Sequence, residues 1–225
     1  MSEESSGGER PFDPETALLL RAVAHDFNNL LSSVMGHAEL LEATSGSDAA
    51  LARRCRAIRR AALKGVDITR KLSGAGRDLD LHLEDLDTQE LLAEEAKRFQ
   101  DTLREGVVLQ IEGSGTVSLR ADRRAFHQIT SALLANARAW CTAPGWVRLT
   151  LQETEGGVAL SVTDSGPGFS DALSDEDLFA PFVGTGREGS GLGLWLVRRL
   201  VDAHGGSVQV RRGANARVTC EFPAG

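Results

Sequence analysis

Apolar side chains recur every seventh residue near the start of the chain, at Leu20, Phe27, Val34 and Leu41, with Val23, Leu30 and Leu31 between them. On an α-helix these positions fall along one strip, whereas on a strand a seven-residue step would throw alternate members onto opposite faces. The spacing therefore predicts a helix over about 14–43, with Asp13 and Pro14 suited to its first turn. Thr44-Ser45-Gly46-Ser47 breaks it, and Asp48 is placed to cap a second helix. Leu51, Cys55, Ile58, Ala62, Val66, Thr69 and Leu72 keep helical spacing until Gly74 and Gly76 end it. Two such helices make a hairpin whose apolar strip cannot be covered from within the pair. Either a second copy completes a four-helix bundle, or the rest of the chain covers the strip.

His25 falls between the strip positions and is expected to face solvent, with Asp26 beside it and Asn29 one turn on, on the same face. Most lone histidines so placed are ordinary surface residues. This one gains chemical interest only if residues elsewhere can use it.

Residues 1–13 are polar and rich in Gly and Ser, the composition of a disordered tail. The hairpin occupies 14–76, and the pattern changes from 77 to 225. Leu79, Leu81, Leu83 and Leu86 alternate with polar residues, as in a strand. Helices are expected at about 88–100, 122–141 and 191–204, and strands at about 107–112, 116–120, 146–153, 157–163, 206–211 and 216–222. This mixture implies a sheet covered on one face by helices, an α/β sandwich, and an α+β chain as a whole.

A net charge of −7 and the lack of basic clusters interleaved with aromatics argue against a nucleic-acid surface. Arg53, Arg54, Arg56, Arg59 and Arg60 form a local basic run, read as a solvated helix face or, less commonly, a site for an acidic protein. Cys55, Cys141 and Cys220 lack metal-ligand spacing and suit free thiols in a reducing compartment. No stretch reaches the ~20 apolar residues of a membrane span. A cytoplasmic location is the expectation.

Three motifs bear chemistry. Asp164-Ser165-Gly166-Pro167-Gly168 follows the apolar strand 158–162, placing a carboxylate beside a turn where backbone can approach a flat ligand. Gly189-Ser190-Gly191-Leu192-Gly193-Leu194 opens the last helix, where free amides attract phosphate. Asn136 puts an amide oxygen on an otherwise apolar helix face, a donor suited to Mg²⁺. Each is weak alone, since turns, caps and satisfied core amides use the same residues.

Their order matters more. His-Asp-x-x-Asn, the Asn136 helix, D-x-G-x-G and G-x-G-L-G-L together resemble the transmitter core of sensor histidine kinases, and the run His25–Leu31 with Met35–Leu41 resembles a subgroup found in hybrid kinases. Leu178-Phe179-Ala180-Pro181-Phe182 is similar to that family's phenylalanine box, and His204-Gly205-Gly206 to the turn after its last helix. The resemblance spans about 15–223. It implies a homodimer, with ATP and Mg²⁺ bound by the second domain. His25 would accept the γ-phosphoryl group, Asp26 would orient the imidazole and act as general base, and Asn29 would align water for dephosphorylating a partner receiver domain. Asn136 would hold Mg²⁺ and Asp164 would read the adenine amine, with Gly166 and Gly168 shaping the pocket. Gly189, Gly191, Leu192 and Gly193 would form the phosphate loop and lid hinge, and Arg187 would reach the phosphates. The partner implied is a separate response regulator, with an upstream sensor protein as a further possibility.

Three departures stand out. Ala132 replaces a second polar residue one turn before Asn136, Ala139-Trp140-Cys141 stands where an acidic residue is more typical, and the lid 183–190 is short. Two other readings stay open: a histidine phosphotransferase relay with degraded ATP binding, and a non-catalytic nucleotide-gated module.

Overall fold

The computed structural model describes residues 14–46, 48–75, 81–100, 102–103, 105–113, 118–183 and 191–224. The chain divides into two compact units, Met1–Asp78 and Leu79–Gly225.

The first unit is the expected hairpin, α1 (Pro14–Thr44) and α2 (Ala49–Ala75). Asp48 caps α2 by accepting from the backbone amides of Ala50 and Leu51, at 2.9 and 3.0 Å. The helices meet through small residues: Ala24, Ala38, Cys55 and Ala62 are buried. Thr69, counted among the apolar positions from sequence, instead donates its hydroxyl to Asn28 Oδ1 across the pair. Phe27, Val34 and Leu41 of the seven-residue repeat do not form this seam, whereas Leu31 packs on Gly65. Phe27 is 53% exposed, and Val23, Leu30, Val34 and Leu41 also face outward. At about 100° per residue from Ala24, these lie roughly 60–120° to one side. His25 and Asn29 lie roughly 100–140° to the other. The repeat marks a second strip, separate from the one that closes the hairpin.

The second unit builds on a five-stranded sheet in the order β2-β4-β5-β7-β6, from β2 (Val107–Gly113), β4 (Gly145–Thr154), β5 (Gly157–Asp164), β6 (Ser207–Arg211) and β7 (Arg217–Pro223). β2 and β4 run parallel, and the other neighbours are antiparallel. Alternate residues of the central strands, such as Val147, Leu149 and Leu151 of β4 and Val158, Leu160 and Val162 of β5, are buried, while residues between them are not. One face of the sheet is therefore covered, by α3 (Thr88–Gln100), α4 (Arg123–Trp140) and α6 (Gly193–Ala203).

Two details differ from expectation. The strand read from about 79 is observed as β1 (Glu84–Asp87), paired with β3 (Ser118–Ala121): residues 81–83 stay outside it because the chain opposite them turns at Asp122 into the next helix, and residues 79 and 80 lie outside the described residues. A short helix, α5 (Asp175–Leu178), went unread; its capping box is made by Ser174 and Asp177.

Two polar devices join the layers. Asp122 caps α4 and also accepts from the His82 amide at 2.9 Å. Burial opposes its charge, but the amides of Ala125, His82 and Arg124 outweigh that and hold its carboxyl below the usual range. Buried His204, in the turn after α6, donates from Nδ1 to the Leu200 carbonyl at 2.6 Å and accepts at Nε2 from the Asp122 amide at 3.1 Å. Those partners require the neutral Nδ1–H tautomer.

Candidate functional site

His25 stands on α1 with 75% of its side chain exposed. Its Nδ1 lies 3.3 Å from Asp26 Oδ1 and 3.4 Å from Asn29 Nδ2. One ring nitrogen cannot donate to the carboxylate and accept from the amide at once, so these contacts belong to different tautomers. With Asp26 ionised, Nδ1 keeps the proton and the lone pair sits on Nε2. Among the described residues nothing bonds to Nε2. Behind the site, the Asn28–Thr69 bond pins the register of α1 against α2 three residues from the histidine.

The second unit holds a cleft of about 500 Å³ whose lining includes Asn136, Trp140, Asp164, Gly168, Leu178 and Leu194. Asp164, at the end of β5, is 8% exposed. Its Oδ1 accepts from the Gly166 amide at 2.8 Å. Among the described residues no donor meets its other oxygen. Burial pushes its carboxyl above the usual range, partly offset by the Gly166 amide. A buried, half-satisfied carboxylate lining a cleft can accept a further hydrogen bond.

Close packing also requires the glycines beside it. A Cβ on Gly166 would stand 2.6 Å from the Asp164 carboxylate, and Gly168, at φ +90°, packs against the Gly213 carbonyl. Gly166 thus lets the backbone pack on the carboxylate, and Gly168, which lines the cleft, lets its turn pack on Gly213.

Asn136 lines the same cleft and has no hydrogen-bond partner among the described residues. Its oxygen suits a hard cation or a polar ligand. Ala132, one turn earlier and half-buried, adds no donor. Gly191 packs against the Phe182 backbone, and Leu192 N-caps α6 without a side-chain bond, with Gly193 as first helical residue. That helix start sits beside the cleft through Leu194. Arg187 and Gly189 lie outside the described residues. Trp140 was read from sequence only as part of a departure. The structure places it in the cleft, one turn beyond Asn136, and that four-residue spacing on one helix face was the available signal.

Among the described residues no helix is long and apolar enough to cross a membrane, and no group of His, Cys, Asp or Glu is arranged to hold a metal by itself.

Residues 121–225 match the histidine kinase-, DNA gyrase B-, and HSP90-like ATPase family. Over 210 residues the chain is 31% identical to the sensor protein DivL of Caulobacter vibrioides, covering 89% of this chain and 27% of that protein. Over 215 residues it is 31% identical to the sensor histidine kinase ZraS of Escherichia coli O157:H7, covering 91% of this chain and 45% of the relative. The chain thus spans less than half the length of either. Full-length ShkA in complex with AMPPNP has a similar structure, with TM-score 0.79 and 30% identity over 92% of this chain and 46% of that one. The ThkA catalytic domain matches at TM-score 0.58 and 27% identity over 63% of this chain and 95% of that domain. From these matches the chain belongs to the sensor histidine kinases: it is a core of that family, a helical hairpin followed by an ATPase domain of the histidine kinase, gyrase B and HSP90-like family.

Proposed function

We propose that the chain is an ATP-dependent protein histidine kinase of a two-component system, phosphorylated on His25 and passing the phosphoryl group to an aspartate of a separate response regulator. The observation that carries this reading is the pairing, in one chain, of an exposed histidine beside a carboxylate with a cleft that offers a buried Asp164 and an Asn136 that has no hydrogen-bond partner among the described residues.

In this reading Asp164 accepts a hydrogen bond from the adenine amine and Trp140 supplies a flat face for the base. Amides at the start of α6, from Gly191, Leu192 and Gly193, meet the phosphates, with Gly189 and Arg187 of the lid assigned by resemblance alone. Asn136 is the oxygen donor for Mg²⁺, which would neutralise phosphate charge. The lone pair of His25 Nε2 attacks the γ-phosphorus, the bond to the β,γ-bridging oxygen breaks, and ADP leaves with that electron pair. The ring gains positive charge as the N–P bond forms, and Asp26 takes the Nδ1 proton. Asn29, on the same face, is positioned to align water for removing phosphate from the partner. The outward strip of Phe27 and Val34 supports a homodimer as its cover.

Incubation with γ-labelled ATP tests this directly. Acid-labile label on the wild type that is absent from His25→Ala supports the kinase. Nucleotide binding without label favours the non-catalytic module, and failure to bind nucleotide favours the relay, to which Ala132 lends some weight.

A further inference from the structure

The wall of the cleft beside Asp164 is irregular chain. Residues 165–174 join β5 to α5 with no helix or strand among them, and Gly168, Phe169, Ser170 and Leu173 of this segment line the cleft with Leu178 of α5. Bonds within the segment are local: Ser170 accepts at its hydroxyl from the Ala172 amide and at its carbonyl from the Leu173 amide, both at 3.3 Å. Such bonds shape a turn without fixing where the turn sits. A segment that lacks a ladder of its own is held in place by what it touches across the fold.

Here it touches the loop between β6 and β7, residues 212–216, at successive points. Where β5 ends, the Asp164 amide donates to the Ala216 carbonyl at 3.2 Å. Gly168 then packs so closely on the same loop that an added Cβ would stand 2.3 Å from the Gly213 carbonyl oxygen. Farther along, Arg212 reaches over with its whole fork. Nε and Nη2 donate to Asp175 Oδ1 at 2.9 and 2.6 Å, and Nη1 donates to the Ser170 carbonyl at 2.9 Å. Ser170 and Asp175 flank Leu173, so one guanidinium grips both ends of the stretch that sets Leu173 in the wall. Arg212 itself does not line the cleft. Its side chain is only 26% exposed, which spares the pair part of the screening that makes surface ion pairs weak.

We infer that Arg212 is a positioning residue for the nucleotide: by clasping Ser170 and Asp175 it holds the irregular wall where the base packs. This role rests on the nucleotide reading of the Asp164 cleft and adds a residue from outside that cleft. A wall already ordered costs little further on binding. A loose one must be ordered by the ligand, and that cost is subtracted from affinity. The clasp acts on the side of Asp164, at the base end, rather than at the α6 start that meets the phosphates. Its loss therefore weakens ground-state and transition-state binding alike, which raises KM and leaves kcat. The fork matters as well as the charge, since a lysine has one nitrogen to share between the Ser170 and Asp175 oxygens. A pair that served stability alone would lower the melting temperature and leave affinity intact.

The test is calorimetric ADP binding to the full chain, alongside melting of the ligand-free chain and the ATP dependence of labelling. Arg212→Gln should raise the Kd for ADP about fivefold or more, the lower part of the range for coupled neighbours. KM for ATP should rise by a similar factor, with kcat within about twofold of wild type. Melting of the ligand-free variant should shift by no more than about 4 °C, the scale of one exposed ion pair. Asp175→Ala should also weaken ADP binding, and Arg212→Gln/Asp175→Ala should lose clearly less than the product of the two single losses, since both break one clasp. Arg212→Lys should fall between wild type and Arg212→Gln, and it carries the test where Arg212→Gln does not fold. Unchanged ADP affinity in Arg212→Gln, or in Arg212→Lys where only that variant folds, overturns the inference. So does a double variant that loses the full product, or a loss confined to kcat. A wild type that binds no ADP is a different result: it removes the nucleotide reading itself, and the positioning role with it.

Discussion

The two units solve the burial problem in opposite ways. The ATPase-type unit hides its large residues: Leu91, Phe126, Ile129, Leu133, Leu149, Leu160 and Phe222 are all fully or nearly fully buried between helices and sheet. The hairpin closes mainly on alanines, a cysteine and one polar pair, with Leu31 packed on Gly65, and leaves Phe27, Leu30, Val34 and Leu41 outside. Burial of such side chains is worth about 1.5–3 kcal/mol each. The first unit therefore reaches for another surface to complete its core, whereas the second is complete apart from its cleft. The lesson extends to charge. The second unit buries a carboxylate, Glu95, against His127, while the first displays His25 and its arginines to solvent.

The largest contrast should appear on deleting one histidine from each unit. Glu95 is 1% exposed, and His127 faces it with Nδ1 while Nε2 lies 3.1 Å from Glu94 Oε2. His127→Ala leaves that buried carboxylate only Arg98, 4.0 Å away, and should cost about 3 kcal/mol in urea unfolding of the ATPase-type unit. His25→Ala removes only a surface residue and should change hairpin stability by less than about 0.5 kcal/mol. Equal costs would break the comparison.

Phe27→Asp combined with Val34→Asp attacks the uncovered strip. Sedimentation should show self-association weakened by about 100-fold or more, the scale on which interface hot spots act. Calorimetry should show the melting of the second unit unmoved. A wild type that is monomeric at high concentration would remove the second copy as the cover.

Asp164→Asn separates stability from binding. Because burial raises the Asp164 pKa, the folded state favours the protonated form. Its contribution to stability is present below the unfolded pKa and is lost as pH rises through the raised folded value. At neutral pH the Asn variant should therefore melt at the same or a higher temperature, while nucleotide affinity followed by tryptophan fluorescence falls at least about tenfold, the loss of a charge-assisted bond. Wild-type affinity should also fail on acidification at a pH above the ordinary ~4 of an aspartate. A Tm drop without loss of binding would reverse the roles.

A more local effect belongs to Thr69→Val, which removes the hydroxyl that donates to Asn28. It should cost the hairpin about 1–3 kcal/mol in denaturant and raise exchange of α2 amides without moving those of the sheet.

Much of this was legible without coordinates. Helix and strand positions follow from periodicity, because local hydrogen bonding and side-chain alternation are short-range. α4 ran one residue short of expectation at each end, and Asp48 capped α2 as its position implied. Asp164, Asn136 and His25 stood out because their residue types sit at marked points of those elements. β1 was overextended because the length of its partner strand is not a local property. α5 was missed because four residues are too few to show a helical period.

By itself the sequence determined the elements, the exposure of His25 beside Asp26, and the placement of a carboxylate and an amide on separate elements of the second domain. Only the tertiary structure decided which apolar strip closes the hairpin, since two helices can pack through small residues as readily as through large ones, and close approach selected Ala24, Ala38 and Ala62. It alone showed that Gly166 packs on the Asp164 carboxylate and Gly168 on the Gly213 backbone, and that Trp140 joins Asn136 in the cleft. Each of these depends on contacts or directions between elements distant in the chain, and periodicity within one element carries no record of its neighbours.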